Sequence, residues 1–176
     1  MDEKTGVLLA KIRQIIAAET IEDAFEADYP PVSMAEVQAA ERELGFSLPE
    51  LLKLLYTEVA NGGLGPYDRI IGLEEGWTAN NNDGENLVEL YRKFKEELPF
   101  ERDWPDGLLP ICEAGGNDTV FCLDTSRYNS PVVSIKLDFF DEEGERETLE
   151  VVLTEETSSF QNWLEDWAFM SDSNRK

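Results

Sequence analysis

The chain has 176 residues, 41% of them hydrophobic, with four tryptophans, enough for one domain with a sizeable core and too apolar for a disordered polymer. Its 38 acids against 15 bases give a formal net charge of −23; this excludes a phosphate-binding surface, since nucleic-acid affinity rests on Lys and Arg, and it suits a basic protein partner. Histidine is absent, which removes the commonest general base and metal ligand and every Ser-His or Cys-His nucleophile pair.

In chain order, Val7, Leu8, Ile12, Ile15 and Ile16 recur at helical spacing and predict an amphipathic helix over 5–18. The N-terminus is too short in apolar residues and too acidic for a signal peptide, and no run reaches membrane-spanning length, so a cytoplasmic location is expected. Residues 19–32 are acidic, carry Phe25 and Tyr29, and end in Pro30-Pro31, which reads as a connection. Ser33 with Glu36 forms a capping box for a helix running to Leu44, with Met34, Val37, Ala40 and Leu44 on its inner face. Gly45 closes that helix, and Ser47 and Pro49 open the next. Leu51, Leu52, Leu54, Leu55 and Val59 give it a broad buried face, and Asn61-Gly62-Gly63 turns the chain sharply.

Ile70, Ile71 and Leu73 read as a short strand. Residues 74–84, EEGWTANNNDG, are turn-rich and polar and are expected to display Trp77. Trp104, in a similar context, is expected to be exposed as well. Residues 85–98 are helical, with Leu87, Leu90, Tyr91, Phe94 and Leu98 inward. The period then changes. Residues 108–112 and 119–123 are apolar runs separated by turn residues, a hairpin buried on both faces. Val133, Ile135, Leu137 and Phe139 alternate, as do Leu149, Val151 and Leu153, so 108–153 is expected to form an antiparallel meander of about four strands. Phe160, Trp163, Leu164 and Trp167 then mark a helix over 157–170 facing the sheet. The division expected is 1–32 as an N-terminal helix and connection, 33–170 as the domain, and 171–176 as a frayed tail.

The segment from Asp138 to Glu156 holds nine acids and one base, Arg146. An EF-hand register that puts Gly144 at position 6 puts Phe139 at position 1, so the calcium-loop pattern fails there and metal ranks behind the other readings. A solvated hairpin tip or a contact for a basic partner remains. Asp118 and Asp124, six residues apart along a strand, would be roughly 20 Å from each other, too far to share a proton or a metal. Cys112 and Cys122 form no CxxC motif and read as buried free thiols. No catalytic constellation, metal site or cofactor site emerges.

Four blocks in order resemble the SUKH superfamily, the Smi/Knr type: Pro31-Val32-Ser33 with the helix ending Glu41-Arg42-Glu43-Leu44-Gly45; Leu48-Pro49 through Asn61-Gly62-Gly63; Leu109-Pro110 through Gly115-Gly116 to Cys122-Leu123-Asp124 and Pro131-Val132-Val133; and Ser159-Phe160 to Trp163-Leu164. Ala114 stands where the family commonly has a tryptophan before glycine. The resemblance implies an α+β fold, a curved, mainly antiparallel sheet packed against helices, and a non-enzymatic role. Bacterial members are mostly immunity proteins that occlude a cognate toxin domain, often a nuclease of a polymorphic or contact-dependent system; fungal members are regulatory scaffolds in cell-wall assembly. With a charge of −23, the expected partner is a basic toxin domain rather than nucleic acid or membrane. The contact residues expected are Glu74, Glu75, Trp77 and Asp83 in one loop and Asp138, Asp141, Glu142, Glu143 and Glu145 in the acidic hairpin.

Overall fold

Three of the helices begin at a residue whose side chain caps them: Ser33, Asn86 and Ser159. A computed structural model describes residues 2–22, 29–97, 103–114, 119–136 and 153–170. α1 (Glu3–Glu22) runs past the predicted end and buries Leu8, Leu9, Ile12 and Ile15, while Val7 points to solvent. α2 (Met34–Leu44) starts at the predicted capping box: the Glu36 amide donates to Ser33 Oγ and the Ser33 amide to the Glu36 carboxylate. It stops at Gly45, whose φ of 82° is left-handed. Met34 is exposed, and Val37, Ala40 and Leu44 carry the buried face.

α3 (Glu50–Glu58) has Pro49 at its N-cap and no side-chain cap, so Ser47 does not cap it; Leu52, Leu55 and Tyr56 are its buried residues. α4 (Ala79–Asn82) is a single turn inside the polar loop. α5 (Leu87–Glu96) has a second capping box, formed by Asn86 and Glu89, and buries Leu87, Leu90, Tyr91 and Phe94.

β1 (Leu108–Ala114), β2 (Thr119–Asp124), β3 (Val132–Lys136) and β4 (Leu153–Thr157) form one antiparallel sheet in the order β1-β2-β3-β4. This is the expected meander, except that β4 extends over 153–157 and its residues face solvent rather than the core. The acidic segment before it, including Asp138, Asp141, Glu142, Glu143 and Glu145, lies outside the described residues, as do Leu98, Asp118 and the predicted alternating positions Leu137, Phe139, Leu149 and Val151. Ile70, Ile71 and Leu73 form no strand. Their segment lies along the outer edge of β1 through two backbone bonds, Ile71 N–H to Ile111 O (2.8 Å) and Asp68 N–H to Glu113 O (3.1 Å), and so covers an edge that would otherwise present unpaired backbone groups.

α6 (Phe160–Phe169) packs on α1 and β4, and α5 packs on α2 and β1. Phe160, Trp163, Leu164, Trp167 and Ala168 of α6 join one buried cluster with α1, α2, α3, α5 and strands β1 to β3. The chain is therefore a single α+β domain with an open antiparallel sheet packed against helices.

Candidate interaction surface

Asn61 holds together the loops that bear the candidate residues. It is 3% exposed, and every polar group it has is used. Its backbone N–H donates to Tyr29 O (3.0 Å), and its carbonyl accepts from the Trp77 amide (3.0 Å). Its Oδ1 accepts from the Leu73 amide (2.7 Å), and its Nδ2 donates to Glu74 O (2.9 Å). The chain passes so close that a Cβ on Gly72 would lie 2.2 Å from the Asn61 carbonyl oxygen. Gly62 needs its freedom for both reasons glycine is used: its φ is +81°, and a Cβ there would meet the Gly72 amide at 2.6 Å. The Asn-Gly-Gly motif is thus more than a reversal. Its amide side chain takes the place of a missing ladder partner for residues 73 and 74.

This arrangement determines where the predicted contact residues go. Glu74 and Glu75 are exposed on the turn above Asn61, and Asp83 is exposed just after α4. Trp77 is not displayed: it is 6% exposed. Its indole Nε1–H donates to Asp68 O (3.2 Å), its ring meets Tyr29 edge-on at 5.8 Å, and the Arg69 guanidinium carbon sits 5.3 Å from the ring centre. The polar composition of 74–84 concealed this, because the cover comes from residues distant in sequence. Trp104 is likewise buried, donating to Leu108 O (2.7 Å) and meeting Phe94 edge-on at 4.6 Å. Glu113, on β1, is a buried carboxylate that accepts from the Asn80 amide (2.6 Å) and ties α4 to the sheet. Burial pushes its carboxyl above the ordinary glutamate range, with Glu85 and Asp68 adding to the push.

The loop following the Asn-Gly-Gly turn carries a residue that sequence reading passed over. Tyr67 has φ +57° and Arg69 has φ +74°, left-handed backbone that costs bulky residues roughly 1–2 kcal/mol each. Yet Tyr67 is 60% exposed. Its ring stacks on Phe121 (4.4 Å, 14°) and near-parallel to Trp163 (6.4 Å, 29°). Desolvation, with Glu156 and Cys112 nearby, raises its phenol above the ordinary value. Tyr67, Trp163, Trp167 and Met170 line a groove of about 610 Å³ whose lining also includes Asp68, Glu156 and Asp166.

Among the described residues no group of three or more His, Cys, Asp and Glu side chains is placed to hold a metal, and no helix is long and apolar enough to cross a membrane. Cys112 and Cys122 are buried free thiols, and burial drives both thiol pKa values up, which makes them poor nucleophiles.

The model of the SMI1/KNR4 family (SUKH-1) matches residues 31–166. The chain belongs to that family. The matched span of this SUKH-1 protein takes in the Ser33 capping box, the Asn61 turn, the sheet and most of α6, and leaves α1 outside. The family includes toxin-immunity proteins, and its members are generally non-enzymatic immunity or regulatory proteins. No curated protein matches the chain.

Proposed function

We propose that this SUKH-1 protein is an immunity protein. It binds one cognate toxin domain, basic and nuclease-type, of a polymorphic or contact-dependent system, and neutralises it in the cytoplasm by occlusion, without chemistry. The observation that carries this reading is the pairing of SUKH-1 membership with a net charge of −23. A surface so acidic attracts a protein built to bind nucleic acid, because that protein is itself basic. The contacts proposed are the exposed Glu74, Glu75 and Asp83 together with the acidic segment of Asp138, Asp141, Glu142, Glu143 and Glu145. Trp77 is withdrawn from that set, since its ring is already buried under Tyr29 and Arg69.

The test is co-expression with the toxin domain encoded next to this gene. Survival of the cells, and recovery of a stable complex that lacks the toxin's activity, support the proposal. Unprotected cells, or a gene remote from any toxin gene, return the chain to the regulatory scaffold role its family also contains.

A further inference from the structure

The groove beneath Tyr67 has features that core packing does not require. An exposed aromatic ring is held in left-handed backbone, on a loop tied to β1 by the Asp68 N–H bond to Glu113 O (3.1 Å) and by the Cys112 Sγ–H bond to Pro66 O (3.4 Å). Its apolar lining includes Tyr67, Trp163, Trp167 and Met170, and its anionic lining is Asp68, Glu156 and Asp166. Arg69 is the one cation among the described lining residues; it donates to Gly63 O (3.2 Å) and lies over Trp77. Three carboxylates therefore surround an aromatic floor, against one guanidinium engaged at one end.

We propose that this groove is the docking site for an arginine-bearing segment of a basic protein partner, with the guanidinium stacked on Tyr67 and bonded to the carboxylates of Glu156 and Asp166. Charge complementarity selects a cation, and the flat aromatic floor beside carboxylates selects guanidinium over ammonium, because only guanidinium is both planar and forked. The apolar residues Trp167 and Met170 accommodate an apolar neighbour of that arginine in the partner sequence. The proposal rests on the reading of the partner as a basic protein, and adds an aromatic anchor that the acidic loop and acidic segment lack.

The probe is a short capped peptide with two arginines flanking a leucine, titrated into the full chain at low salt and followed by ¹⁵N NMR. The indole N–H signals report position: Trp163 and Trp167 line the groove, Trp77 borders it through its bond to Asp68 O, and Trp104, bonded to Leu108 O, is buried elsewhere and serves as the control. Saturable shifts at Trp163 and Trp167 are expected, with the lysine counterpart binding about threefold more weakly. Tyr67→Gly removes the platform, and glycine adopts φ +57° without strain; a native spectrum with binding weakened about fivefold is expected. Glu156→Gln and Asp166→Asn leave the loop untouched and are expected to weaken binding similarly, which keeps the test open if Tyr67→Gly does not fold. Shifts confined to other surfaces, or binding unaffected by these variants, overturn the groove as the docking site while leaving a basic partner standing. No saturable response anywhere at low salt overturns both.

Discussion

Replacing Asn61 with Ala tests whether one side chain holds the loops in place. The substitution deletes two hydrogen bonds, from the Leu73 amide at 2.7 Å and to the Glu74 carbonyl at 2.9 Å, and leaves the backbone bonds of residue 61 to Tyr29 and Trp77 intact. The two lost partners differ. Leu73 is 3% exposed, so its amide has no water to turn to, and an unsatisfied buried donor costs about 1–3 kcal/mol. Glu74 is exposed, and its carbonyl regains water at a loss of about 1 kcal/mol or less. The sum is roughly 1–4 kcal/mol, a sizeable share of a typical stability of about 5–15 kcal/mol. With an m-value of about 2 kcal/mol/M, the urea midpoint should fall by about 0.5–2 M. The Leu73 amide should also exchange its hydrogen faster than neighbouring buried amides. A midpoint shift below about 0.3 M, with Leu73 exchange unchanged, would refute the assignment of Asn61 as the hub.

Trp77→Ala should act on folding rather than on recognition: with the ring buried against Tyr29, a loss of about 3–5 kcal/mol is expected in chemical denaturation, and a variant of unchanged stability would contradict the burial. Glu113 has its folded-state carboxyl pKa raised by burial, so the native state binds this proton more tightly than the unfolded chain does. Its ionisation therefore takes stability away as pH rises from the ordinary glutamate range, about 4.3, through the raised value. Glu113→Gln keeps an acceptor for the Asn80 amide and should gain stability relative to the parent as pH rises above the ordinary glutamate range; a stability difference independent of pH would refute this. Truncation after Ser158 removes Phe160, Trp163, Leu164 and Trp167, all buried, at about 1.5–3 kcal/mol each, so circular dichroism should show no cooperative unfolding transition.

Much of the fold was legible because local chemistry and global packing agree. The Ser33-Glu36 box and Gly45 mark both ends of α2 in residues a few positions apart, and the spacing of Phe160, Trp163, Leu164 and Trp167 is that of a helix with one covered face. The failures share a cause. Ile70, Ile71 and Leu73 have the composition of a strand, but Gly72 is pressed against Asn61, and Leu73 bonds a side chain instead of a ladder. Trp77 and Trp104 sit in polar turns, and only long-range neighbours bury them. Tyr67 left no signal at all, since a left-handed φ at a non-glycine residue is imposed by surrounding structure rather than by its own preference. Of the predicted contact set, Glu74, Glu75 and Asp83 were legible as exposed because acids in turns are solvated by default.

The most direct test of the account is the association rate between this protein and the adjacently encoded toxin domain at two salt concentrations, for the parent chain and for a triple charge reversal of Asp141, Glu142 and Glu143. With a net charge of −23, the parent rate should fall about tenfold or more between roughly 20 mM and 150 mM salt, where the Debye length shortens to about 8 Å. The triple reversal should slow association at low salt and flatten that dependence. A parent rate unchanged by salt would contradict the claim that its acidity recognises a basic toxin, and a triple reversal that associates like the parent at low salt would remove the acidic segment from the interface.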